Sequence, residues 1–333
     1  MRYDIQLEQA AHYIRSHDDF LVLAHLHPDG DAIGSTVAMG LLLHHLGKSV
    51  TIANEGETPS RFAFLSRYKP IEDLSVSKLN KTFQHVITVD VADESRMGNV
   101  QAYLAKETNI LNIDHHPTNT MFGDVNLIQP RAASTTQILY DLIKEHFQDA
   151  FDHALATALY TGLLTDTGGF RHSNTTKEVF DMASHLLTFG VDPNEVAEQA
   201  IDTTSPSHLN VLKKALNSLT FANGKRVAIF TVTKEDMLET GATKDDIDGL
   251  VSYPKNIEGV EVGALLKEWS EGEVKVSLRS KRDIDVAVIA QENGGGGHAK
   301  AAGYTFNGSL EDAKTTLLDQ LQDALGDDNG KTN

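Results

Sequence analysis

Four groups of carboxylates and imidazoles stand at or just beyond the ends of short apolar segments in this 333-residue chain. The first is His25-Leu26-His27-Pro28-Asp29-Gly30-Asp31, and the second is Asp90-Val91-Ala92-Asp93. The third is Asp114-His115-His116, and the fourth is Asp166 within Thr165-Asp166-Thr167-Gly168-Gly169-Phe170. Taken singly, each aspartate reads equally as a helix cap or turn former, and the histidine pair as surface. Taken together in one crevice, unpaired carboxylates repel and each resists ionisation. Divalent cations remove that conflict. Oxygen and imidazole donors without sulfur suit Mn²⁺ first, with Mg²⁺, Co²⁺ or Fe²⁺ as alternatives, better than a structural zinc. Two ions roughly 3.5–4 Å apart clamp the attacking and leaving oxygens of an in-line phosphoryl displacement, and a carboxylate shared between them sets that spacing. Two-metal phosphoester hydrolysis is the reading that uses all four groups.

A second constellation lies near the other end. Asn293-Gly294-Gly295-Gly296-Gly297-His298 precedes Ala301-Ala302-Gly303. The glycines are open to two readings, a flexible hinge or a stretch whose backbone N–H groups approach an anion, with the small residues expected to let a following helix pack closely. Lys275-Val276-Ser277-Leu278-Arg279-Ser280 alternates, which puts Lys275, Ser277 and Arg279 on one strand face. That face is either simply solvated or a phosphate and nucleobase clamp, with Arg279 on a terminal phosphate and His298 against a base or phosphate.

The elements that must position these groups follow from the apolar pattern. Short runs at Phe20–His25, Ser49–Ala53, His85–Val91 and Asn109–Asp114 read as buried parallel strands. Ile33–Leu46 between them reads as a helix closed by Gly47. Such alternation predicts an α/β domain whose parallel sheet carries helices on both faces and whose ligand crevice lies at the carboxyl ends of the strands. Three helical segments follow, near Ala133–His146, Ala154–Leu164 and Lys177–Phe189. After Gly190 the texture changes. His208–Leu219 reads as a linker helix, strands are expected at Arg226–Val232, Val260–Lys267 and Glu273–Leu278, and a helix at Leu310–Leu325. The organisation expected is a catalytic domain over 1–190, a helical linker over 191–215 and a smaller C-terminal α/β domain with a mixed sheet over 216–333. The polar stretch Gly326-Asp327-Asp328-Asn329-Gly330 is expected to fray.

Composition bounds the partners. Lys and Arg number 29 against 47 Asp and Glu, a formal charge of −18, which disfavours a broad surface for long duplex nucleic acid. It leaves room for a small anion held in a locally positive pocket. There are no cysteines, which excludes a disulfide framework and thiol chemistry and fits a reducing cytoplasm. No apolar run approaches the ~20 residues of a membrane-spanning helix.

These residues resemble a known family. Asp114-His115-His116, with His25-x-His27-Pro28-Asp29-Gly30-Asp31 upstream and Asp166 downstream, is similar to the DHH phosphoesterase superfamily. The Gly294–Gly303 stretch resembles the glycine-rich signature of the associated DHHA1 domain, so the resemblance runs from about residue 18 to 325. It implies one cation on His25, Asp29 and Asp90, and a second on Asp31, Asp90, His115 and Asp166, with Asp90 bridging. It also implies that His116 faces the scissile phosphate as charge stabiliser or proton donor, and that Asp114 orients a ligand from behind. Arg96 and Ala133-Ser134-Thr135 match family positions near the site, with Arg96 and Ser134 expected at the substrate, and the resemblance supports Arg279 and His298 in the clamp, to which the residue pattern adds Lys275, Gly296 and Gly297. A chain of this length resembles the stand-alone nanoRNase and pAp-phosphatase (NrnA-like) group. The implied substrates are short RNA, linear dinucleotides such as pApA, and the nucleoside bisphosphate pAp. Cyclic di-AMP hydrolysis is the alternative within the class, and a non-catalytic nucleotide sensor or RNA-binding module the alternative outside it.

Overall fold

The computed structural model describes residues 2–281 and 284–325; the tail from Gly326 that was expected to fray lies outside the described residues. The chain divides into two compact units, Met1–Thr203 and Thr204–Asn333.

The first unit is built on six parallel strands. In chain order its elements are α1 (Tyr3–Ser16), β1 (Phe20–Leu23), α2 (Gly30–His45), β2 (Val50–Asn54), β3 (Glu72–Asp73), β4 (Phe83–Val89), β5 (Leu104–Asp114), β6 (Val125–Ile128), α3 (Thr135–His146), α4 (His153–Asp166), α5 (Lys177–Leu187) and α6 (Pro193–Ala197). The strand order is β3-β2-β1-β4-β5-β6, so the chain direction across the sheet reverses between β1 and β4. Such a reversal opens a crevice at the carboxyl ends of the two strands that flank it. Alternation along β1 explains why the sheet is buried on both sides. Phe20 and Val22 join the core under the α-helices, whereas Leu21 and Leu23 join a second core with Val86, Met97 and Val100. The α/β class is as expected from the sequence, but the two faces are covered differently. The helices gather over the Phe20 side, and 3₁₀ turns over Glu94–Tyr103 supply Met97 and Val100 to the other. Strands β3 and β6 and the helix α1 add to the elements anticipated.

The second unit contains α7 (Pro206–Asn217), β7 (Thr220–Ala222), β8 (Val227–Val232), α8 (Lys234–Thr240), α9 (Lys244–Asp248), α10 (Ser252–Asn256), β9 (Val262–Ser270), β10 (Glu273–Ser280), α11 (Val286–Glu292), β11 (Gly296–His298), β12 (Ala301–Asn307) and α12 (Leu310–Leu325). The stretch expected as a linker, 191–215, is thus divided between the units. Val211 and Ala215 of α7 are buried against Phe230, Leu250 and Leu265 of the second. The sheet order is β11-β12-β10-β9-β8-β7, parallel only between β8 and β9, which makes it mixed as expected. One correction concerns Ala301-Ala302-Gly303. A helix was expected to follow the glycines; these residues instead form β12, paired antiparallel with β10 and β11. Small side chains there admit a neighbouring strand, which the sequence signal for close packing does not distinguish from a helix.

Candidate metal centre and substrate-facing groups

The clustered carboxylates reach the crevice from three places, the start of α2, the end of β4 and the end of α4. His25 follows β1, where its Nδ1 donates to the Leu26 carbonyl at 2.8 Å. That bond orients the ring and turns Nε2 toward Asp90 Oδ2, 3.5 Å away. A nitrogen already donating to a carbonyl cannot accept from Arg96, so the 3.3 Å approach of the Arg96 guanidinium to Nδ1 is packing, not a hydrogen bond. Asp29 caps α2, its Oδ1 accepting from the Asp31 and Ala32 amides at 3.1 Å. His27 is exposed and sits at a left-handed φ of 57°.

Asp90 follows β4 at φ 62°, a conformation that costs most residues free energy and that Asp and Asn tolerate best. It is buried, at 2% exposure. Its amide donates to the Ile113 carbonyl and its Oδ1 accepts from Thr135 Oγ1 at 2.9 Å. Its two oxygens face different histidines, Oδ2 toward His25 and Oδ1 toward His115 Nε2 at 3.6 Å. His115 Nε2 also lies 3.4 Å from Asp166 Oδ2, at the last residue of α4.

Asp31 is fully buried. Its Oδ2 accepts from the Thr135 amide at 2.6 Å, and its Oδ1 from the Thr136 amide and hydroxyl at 3.0 and 2.7 Å. Those donors favour the charged form, but burial and the nearby Asp90 and Asp29 outweigh them and push its carboxyl well above the ordinary range. Asp166 is driven the same way by burial and by Asp31, Asp29 and Asp90. Burial acts on Asp90 too, yet the His25 hydrogen bond and the surrounding imidazoles overcome it and hold Asp90 low. His116 donates from Nδ1 to Asp114 Oδ1 at 2.7 Å. That bond raises the imidazole to about 9 against the opposing effect of burial. Asp114 in turn accepts from Asn119 Nδ2 at 2.6 Å through its other oxygen.

Ligand atoms within 4.8 Å of one another form three groups: His25, Asp29 and Asp90; Asp31, His115 and Asp166; and Asp90, His115 and His116. Asp90 and His115 are each shared between two of them. Four carboxylates converge here, two of them resisting ionisation, and the donor set is entirely oxygen and imidazole nitrogen. That chemistry fits hard divalent cations.

A close crossing of α2 and α4 brings Asp31 and Asp166 together. A methyl group on Gly34 would stand 2.6 Å from the Ala158 carbonyl, and one on Gly162 would stand 2.6 Å from Asp31 Oδ1. Sequence reasoning missed this pair, although Gly34 and the Ala158-x-x-x-Gly162 spacing are the small-residue signature of helices in contact. It also missed Thr135 and Thr136 as donors to the carboxylates, and Asn119 behind Asp114. Ser134, expected at the substrate, is instead fully buried. Its hydroxyl caps α3 by accepting from the Gln137 amide at 3.1 Å, and this is what presents the next two threonines to Asp31. Arg96 is exposed beside His25.

In the second unit Lys275, Ser277 and Arg279 share the less buried face of β10, as the alternation predicted. Arg279 is half-buried, donates to the Leu278 carbonyl at 2.9 Å and pairs in register with Gly263 and Ala301. Lys275 Nζ lies 5.0 Å from the centre of the Trp269 ring. Nothing in the residue pattern singled out Lys255. Burial, Lys281 and Arg279 together lower its ammonium below the usual lysine range. His298 is exposed on β11 and pairs with Ala301. Gly297, at φ 138°, is required by the hairpin itself, since a methyl group there would meet the Ala301 carbonyl at 2.5 Å. Gly296 has open space around its Cα.

With this geometry in hand, comparison with known proteins is specific. Residues 19–163 match the DHH family, N-terminal domain, and residues 224–327 match the DHHA1 domain. The bifunctional oligoribonuclease and PAP phosphatase NrnA of Thermus thermophilus is 35% identical over 91% of this chain and 89% of its own. This chain belongs to the DHH family. A second relative of the DHH–DHHA1 chain, the bifunctional oligoribonuclease and PAP phosphatase NrnA of Bacillus subtilis, is 28% identical over 92% and 95% of the two chains. Among solved structures, an exopolyphosphatase-related protein from Bacteroides fragilis superposes with a TM-score of 0.88 at 26% identity, covering 96% of each chain. Both units of the DHH–DHHA1 chain are therefore shared with its relatives. No helix among the described residues is long and apolar enough to cross a membrane.

Proposed function

We propose that this DHH–DHHA1 chain hydrolyses the 3′–5′ phosphodiester of very short oligoribonucleotides and linear dinucleotides such as pApA, releasing 5′-mononucleotides, and removes the 3′-phosphate of pAp. The observation that carries the reading is Asp90, whose two oxygens face His25 on one side and His115 on the other. His25, Asp29 and Asp90 would hold one cation, and Asp31, Asp90, His115 and Asp166 the second. Mn²⁺ is the preferred ion for these oxygen and imidazole donors, with Mg²⁺ or Co²⁺ as substitutes. Such a pair activates water and neutralises charge gathering on the phosphoryl group. The chain's own residues do the rest. Thr135 and Thr136 fix the carboxylate planes of Asp31 and Asp90. Asp114 holds His116 by its Nδ1, which keeps the imidazole charged and its Nε2–H available to a phosphate oxygen or to the departing 3′-oxygen. Arg279, His298 and Lys275, with the open backbone at Gly296 and the hairpin glycine Gly297, hold the end of the substrate that is not cut, and Arg96 offers a further phosphate contact. A charge of −18 leaves such local positive groups to attract small phosphorylated substrates and disfavours long duplexes. The lack of cysteine suits work in the cytoplasm.

The test is product analysis with metal-free protein refilled with Mn²⁺, comparing pAp, pApA, cyclic di-AMP, a five-nucleotide RNA and pyrophosphate. Fast conversion of pApA to AMP, with pAp also consumed, is expected. Cyclic di-AMP cleaved as fast as pApA would move the reading to a cyclic-dinucleotide phosphodiesterase. Binding without turnover of any substrate would move it to a nucleotide sensor.

A further inference from the structure

Beside the carboxylate cluster the first unit carries a cavity of about 250 Å³ whose arginines none of the roles above uses. Asp29 and Asp166 reach it from the cluster, and two arginines reach it from separate segments, Arg61 and Arg171. The Arg61 guanidinium lies 4.8 Å above the centre of the Phe62 ring, and Phe62 is itself buried. Arg171 donates from Nε to the Gly168 carbonyl at 2.6 Å, which directs the side chain and leaves both terminal nitrogens to face an acceptor. The turn that carries Arg171 is unusual. Gly168, Gly169 and Phe170 take φ of 58°, 71° and 62° in succession, and a phenylalanine is held there by stacking on Phe180 at 5.5 Å. Its backbone amides are consumed within the turn, Gly168 and Gly169 by the Thr165 and Leu164 carbonyls and Phe170 by Thr167 Oγ1. An anion in the cavity would therefore be held by guanidinium groups and not by main chain.

We propose that Arg61 and Arg171 form an anion subsite for a non-scissile phosphodiester of the substrate, separate from the phosphate assigned to Arg279. The proposal rests on the two-cation reading, because Asp29 and Asp166 admit an anion beside them only when cations neutralise them. pAp and pApA each have a single non-scissile phosphate. A 5′-phosphorylated trinucleotide has two, and can fill both places at once. The subsite thus selects for length, favouring pApApA over pApA. The same guanidinium pair takes free inorganic phosphate, which competes with the longer substrate.

Steady-state kinetics on pApA and pApApA, with bound metal counted in each protein, test the subsite. The trinucleotide advantage in kcat/KM should fall about tenfold in Arg171→Ala, further in Arg61→Ala/Arg171→Ala, and be partly restored in Arg171→Lys. Bound metal should stay at the wild-type level in all of them. Inorganic phosphate should compete with pApApA in the wild type more effectively than in the double variant. A proportionate loss on both substrates, loss of bound metal, or phosphate competition unchanged in the double variant would overturn the subsite. A wild type that cleaves pApA readily yet gains nothing from the third nucleotide would overturn it while leaving the phosphoesterase reading intact. A wild type that cleaves neither overturns both.

Discussion

The two units hold their functional groups in contrasting ways. In the first, His25, Asp29, Asp31, Asp90, His115 and Asp166 arrive from four separate stretches of chain, and Asp31 and Asp90 are fixed by buried hydrogen bonds from Thr135 and Thr136, with Asp31 completely enclosed. In the second, Lys275 and Arg279 lie on one strand and His298 on a neighbouring hairpin, all in contact with solvent, with Arg279 donating to the Leu278 carbonyl and Lys275 over the Trp269 ring. A centre for bond cleavage must hold charges that would otherwise repel, so its supports have to be rigid and numerous. A surface that captures substrate needs only the right charges on one face, and each contributes separately. Substitutions at the carboxylate cluster should therefore act on kcat or on folding, and those on the capture face of the second unit on KM.

Asp90→Asn should have the largest effect. Asn tolerates the left-handed backbone at this position, so the fold is kept while the shared carboxylate is lost; kcat on pApA should fall at least about a hundredfold. Near-normal turnover would break the contrast at its root. Gly162→Ala comes next, because its new methyl group meets Asp31 Oδ1 and the Thr136 side chain. It should cost about 1–3 kcal/mol of stability and weaken metal retention together, read by thermal melting with and without Mn²⁺. A destabilised protein that retained its metal would separate the helix crossing from the cluster. Arg279→Ala is the mildest, raising KM for pApA about tenfold with kcat and metal content held. A fall in kcat instead would place Arg279 with the cleaving groups and erase the distinction.

How much was legible follows the same divide. The strand ends could be found because apolar runs of a parallel sheet are continuous, and the aspartates and histidines stand directly after them. Asp90, His115 and Asp166 stand out as candidate ligands only as a set, since each alone also reads as a cap or a surface group. What was hidden depends on contacts distant in sequence. Thr135 and Thr136 reach Asp31 more than a hundred residues away, and Gly162 matters only because α2 passes over it. Local pattern carries no information about such partners. Ser134 was placed at the substrate because Ala133-Ser134-Thr135 resembles a family position near the site, while its own hydroxyl is spent on a helix cap. In the second unit the period-two pattern placed Lys275 and Arg279 on one face, but composition alone could not distinguish a hairpin from a helix after Gly297.

The most direct test of the account is the number of Mn²⁺ ions bound per chain by the refilled wild type and by Asp90→Asn, measured by elemental analysis after equilibrium dialysis. Two ions are expected in the wild type, and at most one retained tightly when the shared carboxylate is removed. One ion or none in the wild type, or two held equally well by Asp90→Asn, would contradict it.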